Sequence, residues 1–130
     1  AHRHAGEPSG LLVAYDDSLP ASRALQLLAL LNMASGKDVH VLSVAADGRT
    51  AERAARHAVA YLQLHGVNAV GRPVVSEADP AEVIIEETKA VDASMLVMGA
   101  YGHRGWRDFL LGSCTTRILS LCPATLFILQ

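Results

Sequence analysis

The sequence predicts an α/β domain built on a five-stranded parallel sheet with helices on both faces. Three observations predict it. Short apolar runs alternate five times with longer stretches whose apolar residues recur at helical spacing, the mark of β-α-β units. The first run, Leu11 to Tyr15, is continuously apolar, as a strand covered on both faces must be. The chain has 130 residues, 51% hydrophobic and 18% charged, which fits one domain with a sizeable core.

Residues 1–9 are polar and contain Gly6, Pro8 and Ser9. They read as a flexible segment or a linker from a longer chain, with the domain occupying 10–130. Strand one is Leu11–Tyr15, ended by Asp16-Asp17-Ser18. Pro20 suits the first turn of the helix that follows, where no N–H is needed. Ala24, Leu27, Leu28 and Leu31 carry its apolar stripe to about Ala34, and Ser35-Gly36 stop it. Val39–Val44 is strand two, with His40 and Ser43 making one face less apolar. Residues 45–50 read as a loop, and Ala51–Leu64 as a helix whose inward stripe is Ala55, Ala58, Val59 and Leu62.

Strand three, Val67–Val75, carries Asn68, Gly71, Arg72 and Pro73, so it belongs at a sheet edge. Asp79-Pro80-Ala81-Glu82 has the pattern of a capped helix start, and that helix closes at Val91-Asp92-Ala93. Ser94–Met98 is strand four. A helix from about Gly112 to Leu121 stops before Pro123, and Ala124–Leu129 is strand five. In such sheets ligands bind beyond the carboxyl ends of the strands, where the strand order reverses.

Between strand four and the last helix lies Gly99-Ala100-Tyr101-Gly102, then nine residues, then Gly112-Ser113-Cys114-Thr115. Glycines after a strand allow positive φ and close approach of a ligand. A helix opening with unpaired N–H groups attracts an anion. The stretch is therefore a candidate phosphate cradle. The spacing alone fits equally a strand–loop–helix turn that uses glycines only to bend.

Gly99-x2-Gly102-x9-Gly112-Ser113 resembles the nucleotide-binding signature of the universal stress protein family, in its ATP-binding subgroup. Val97-Met98 before it, Leu110-Leu111 within it and the opening Leu11-Leu12-Val13-Ala14-Tyr15-Asp16-Asp17-Ser18 also look like that family, so the resemblance covers residues 10–129. It implies a Rossmann-like, adenine nucleotide alpha hydrolase-like sheet in the order 3-2-1-4-5. That order would set Asp16 and Gly99 on neighbouring strands. The resemblance also implies the site residues. Asp16 would grip the ribose hydroxyls, Ala14 and Tyr15 would line the adenine end through their backbone, and Val44 would close over the base. Met98, Gly99, Tyr101 and Gly102 would lie near ribose and phosphate. Gly112, Ser113, Cys114 and Thr115 would hold the triphosphate. Two positions depart from the pattern: Asp17 stands where the family often has Gly, and Tyr101 where it often has His. Read without the family, Asp16 equally suits a turn cap and Val44 equally suits the core.

The implied function is a stress-response or regulatory module that binds ATP with Mg2+. No Gly-Lys-Ser/Thr follows the glycines and no kinase signature occurs, so the expectation is binding without fast catalysis. The alternative is an interaction module that needs no nucleotide, within a larger and possibly tandem-domain protein. An adenylating ATP pyrophosphatase ranks last, since Asp16-Asp17-Ser18-Leu19-Pro20 lacks the Ser-Gly-Gly-x-Asp-Ser loop. The apolar strand at 124–129 is the expected seam of a homodimer, or of a pseudo-dimer with a second domain.

A net charge of −2 with interleaved signs gives no nucleic-acid footprint, although Arg104 and Arg107 sit near the glycine loop. No apolar run has the length of a membrane span. Cys114 and Cys122 stand eight residues apart on one predicted helix, about 12 Å, too far for a disulfide. Reduced thiols and a cytoplasmic location are expected, without a metal site.

Overall fold

The computed structural model describes residues 10–78, 80–99 and 125–129. Five strands alternate with three described helices: β1 (Gly10–Ala14), α1 (Leu19–Leu30), β2 (Asp38–Ala45), α2 (Gly48–Leu64), β3 (Ala69–Val75), α3 (Pro80–Ala90), β4 (Ala93–Gly99) and β5 (Thr125–Leu129). The strands form one parallel sheet in the order β3-β2-β1-β4-β5. The predicted class and order both hold, and β3 lies at an edge, where its proline can be tolerated. The predicted helix over 112–121, the cap at Asp79 and the glycine loop beyond Gly99 fall outside the described residues.

Alternation along the strands builds two cores. Leu11, Val13 and Tyr15 of the first strand segment pack with Val39, Val41 and Val97 against Ala21, Ala24, Leu25 and Leu28 of α1 and Ala54, Ala58 and Leu62 of α2. Leu12, Ala14, Leu42, Leu96 and Met98 face the other way, against Ile84 and Ile85 of α3. Every β1 residue is buried, as a strand covered on both faces must be.

Local chemistry moves several predicted boundaries. α2 starts three residues before the expected Ala51, because the Asp47 carboxylate accepts the Thr50 N–H at 3.0 Å and caps the helix. α1 ends earlier than Ala34. Asn32 takes a left-handed φ of 56° just after the cap residue Leu31, and turns fill the gap to β2. The stripe on α1 is also rotated: Ala21, Ala24, Leu25 and Leu28 are buried, whereas Leu31, expected inside, is 58% exposed. The hydrophobic residues of that helix are too numerous for spacing alone to fix the buried face.

At the carboxyl end of the sheet, β4 meets α1 closely. A Cβ on Gly99 would stand 2.5 Å from the Ala21 nitrogen and 2.7 Å from the Pro20 carbonyl carbon. Only glycine lets the end of β4 pass under the first turn of α1. Across the sheet, the Arg72 guanidinium on β3 donates to Glu87 on α3 at 2.5 Å, and this keeps Arg72 more firmly protonated than usual.

Candidate functional site

The route from β1 to β2 and β3 goes one way across the sheet, and the route to β4 goes the other. The strand order therefore reverses between β1 and β4, and a crevice is expected beside their carboxyl ends. A cavity of about 440 Å³ lies on the β2 side of those ends, between the ends of β1 and β2 and the first turns of α2. Tyr15 and Asp16 form one side. Ser43, Val44 and Ala45 come from β2, Ala46 and Asp47 from the turn, and Thr50, Ala51 and Ala54 from α2.

The wall is built by short side chains. Ala45, Ala46, Ala51 and Ala54 leave the space that larger residues would fill. Its framework is tied by hydrogen bonds. The Ser43 hydroxyl, almost fully buried, donates to the Tyr15 carbonyl at 2.7 Å, and the Tyr15 N–H donates to the Leu42 carbonyl at 2.9 Å. The Ser18 N–H donates to the Asp16 carboxylate at 3.1 Å, and the Ala21 N–H to the Ser18 hydroxyl at 3.2 Å. The turn after β1 is thus fixed by its own side chains.

The charge at the cavity is negative. Asp16 marks one end and Asp47 another, and no lysine or arginine lines it among the described residues. Hydrogen bonds from the Thr50 hydroxyl, then from the Thr50 N–H, hold the Asp47 carboxyl below its usual range. This carboxylate also occupies the amino end of α2, where an anion would otherwise dock. The space suits an uncharged group with polar edges.

Of the sequence-predicted residues, Tyr15, Asp16 and Val44 line the cavity. Ala14 and Met98 are paired neighbours on β1 and β4; neither lines the cavity, and both are buried in the α3-side core. Gly99 ends β4 beside them, and its missing side chain faces α1. The neighbouring strands do bring Asp16 and Gly99 to one end of the sheet. Tyr101, Gly102, Gly112, Ser113, Cys114 and Thr115 lie outside the described residues. Sequence reasoning missed Asp47, Thr50 and the alanines. Asp47-x-x-Thr50 is a helix-start pattern that could have been found, whereas alanines on a helix face give no sign of a cavity.

Asp17 carries a left-handed φ of 65°. That conformation costs a residue with a Cβ and favours glycine, which explains why glycine suits this position. Among the described residues, no group of three or more His, Cys, Asp or Glu is arranged to hold a metal ion. No described helix is long and apolar enough to cross a membrane.

A family model described as the universal stress protein family matches residues 10–130. This chain belongs to the universal stress protein family. Universal stress protein Slr1230 of Synechocystis is 30% identical over 111 residues, covering 84% of this chain and 38% of that protein. The chain therefore spans well under half of that relative's length. Among solved structures, the universal stress protein of Archaeoglobus fulgidus in complex with dAMP matches with a TM-score of 0.71 and 21% identity. The match covers 93% of this chain and 97% of that one. A universal stress protein family protein from Arabidopsis thaliana with AMP bound matches with a TM-score of 0.70 and 18% identity, over 94% of this chain and 91% of that one. At these identities the structures share the fold.

Proposed function

We propose that this chain is an adenine-nucleotide-binding regulatory module, taking ATP with Mg2+ and acting through its bound state without fast catalysis. The observation that carries the reading is the alanine-walled cavity beside the carboxyl ends of β1 and β2, with Asp16 at its mouth. Its size lies within the range of small-molecule sites. The base would lie against Ala45, Ala51 and Val44, and the ribose diol against Asp16. Because the described wall has no cation, the phosphates must be held by something else. The glycine loop from Gly99 and Tyr101-Gly102 to Gly112-Ser113-Cys114-Thr115 is the proposed holder, through backbone N–H groups and with Mg2+ offsetting the charge. Structural relatives with AMP, dAMP and cAMP bound support an adenine nucleotide as the ligand.

We further propose that residues 10–130 form one domain, working in the cytoplasm. It would pair through the strand at 124–129, as a homodimer or as a pseudo-dimer with a second domain. β5 is an edge of the sheet, and a paired edge is protected from other strands. Calorimetry with Mg-ATP and with AMP tests the ligand reading. Wild type should bind both, and Ala46→Trp, which fills the cavity from an exposed position, should abolish the heat. Equal heats from the two proteins would place the ligand elsewhere, and no heat from wild type would refute the reading.

A further inference from the structure

We infer that the free edge of β3, with the groove beside it, is a seam between two copies of this chain, on the edge of the sheet opposite β5. β3 pairs with β2 on one side only. A groove of about 320 Å³ runs along the strand, lined by Glu52, Ala55, Arg56 and Val59 of α2 and by Gly71 and Pro73 of β3. Val70 and Val75 of the same strand are 57% and 61% exposed.

Gly71 gives the first reason to expect another chain here. Its φ is not left-handed, so its backbone does not require glycine. A Cβ on it would stand 3.4 Å from Ala55 Cβ and 3.5 Å from Val59 Cγ2, which is ordinary contact. The fold thus has room for a side chain at this position. Glycine inside a strand weakens it and often marks the close approach of another backbone. What Gly71 supplies is the depth of the groove. The strand backbone is open as well. The Ser76 N–H donates to the Ala45 carbonyl at 2.9 Å, so the backbone groups of Val74, Arg72 and Val70 point to β2, and those of Val75, Pro73, Gly71 and Ala69 point outward. Pro73 has no N–H, but its outward carbonyl can accept the Gly71 N–H of another copy.

Charge gives the second reason. Glu52 and Arg56 stand one turn apart at the groove, both exposed, and neither has an ion-pair partner among the described residues. An acid and a base so placed are self-complementary across a twofold axis, where each meets the opposite charge of the other copy.

Both features call for the same axis. α2 runs antiparallel to β3: Gly48 lies against Val75, and Ala55 and Val59 lie against Gly71. The four strand residues and the nine helical ones between these levels each rise about 13 Å. Arg72 is therefore level with the helix between Glu52 and Arg56. A twofold axis through Arg72, perpendicular to the sheet, seats the Pro73 ring of each copy over Gly71 of the other. The same axis sets Glu52 of each copy beside Arg56 of the other. Arg72 itself lies on the opposite face, where its guanidinium donates to Glu87, so the two copies of Arg72 do not meet as bare charges. A surface that matches itself in shape and in charge about one axis is fitted to a second copy.

The full chain is measured by sedimentation velocity, from about 1 to 200 µM, as wild type, Glu52→Arg, Arg56→Glu and an equimolar mixture of the two variants. Each variant alone sets like charges against each other across the axis, and the mixture brings opposite charges together. The dissociation constant should rise by about two- to thirtyfold in each variant, the range for losing two rim ion pairs. The mixture should associate at least as tightly as wild type, which also shows that both variants fold. Where β5 joins copies as well, the same loss reads as a fall from a larger assembly to a dimer. A wild type that stays monomeric throughout overturns the seam. Masses that do not differ among wild type, variants and mixture overturn it too, and leave any dimer to another surface. So do variants that dissociate without recovery in the mixture.

Discussion

Replacing Gly99 with alanine adds one methyl group at the most crowded point of the sheet. The new Cβ would stand 2.5 Å from the Ala21 nitrogen, 2.7 Å from the Pro20 carbonyl carbon and 3.0 Å from the Ala21 Cα. All three are backbone atoms, and they belong to the first turn of a helix whose Ala21, Ala24, Leu25 and Leu28 anchor the core. No side chain can swing aside, so either β4 or α1 must move. Overpacking of a core costs about 1–3 kcal/mol, occasionally more. The backbone contacts here put Gly99→Ala at or above the upper end, about 3 kcal/mol. With a urea slope of about 1–3 kcal/mol per molar for a domain of this size, the midpoint should fall by about 1–3 M. Equilibrium urea unfolding followed by circular dichroism reads this directly. A midpoint within about 0.3 M of wild type, about 0.5 kcal/mol, would refute the reasoning. It would return Gly99 to the role first suggested by its place in the glycine signature, as a residue kept small only for a ligand.

Three further predictions concern the framework of the site. Leu42→Ala, at a fully buried position in the α3-side core, should cost about 2–5 kcal/mol in urea unfolding. Ser43→Ala removes the buried hydroxyl that donates to the Tyr15 carbonyl, and should cost about 1–2 kcal/mol; a neutral result would show that this bond does not brace the cavity. Burial, ahead of the nearby carboxylates, raises the Tyr15 pKa above its ordinary 10.0 in the fold. The unfolded chain therefore releases this proton first. The protonated hydroxyl's contribution is fully present below pH 10 and is lost as pH rises through the folded value. Thermal unfolding scans should show stability falling above pH 10, and Tyr15→Phe should make that fall shallower.

The sheet was legible because its signals are redundant. β1 is apolar throughout, Pro73 marks an edge strand, and glycine or a helix breaker separates most elements. Strand order came only through the family resemblance, since periodicity does not say which strands pair. The site was half legible. Asp16 and Val44 sit at strand ends, where ligands of such sheets gather, and both line the cavity. The other wall is made of Ala45 and Ala46 at the end of β2 and of Ala51 and Ala54 on α2, and the helical pair reads as helix formers, whatever space they leave beside them. The Asp17–His57 contact joins residues forty positions apart, which only the packing of α2 against the β1–α1 turn brings together. Asp17 itself was visible as a departure from the family pattern. What it departs toward became clear from its left-handed backbone, a property of the turn that no local sequence rule specifies for aspartate.

The central claim is that an adenine nucleotide occupies the cavity between β1, β2 and α2. The most direct measurement is an amide chemical-shift map of the protein titrated with AMP. The account predicts saturable shifts centred on Asp16, Val44, Ala45 and Thr50, with little change along the groove formed by Ala55, Val59, Gly71 and Pro73 on the other side of α2. No shifts at saturating AMP, or shifts confined to that second groove, would contradict it.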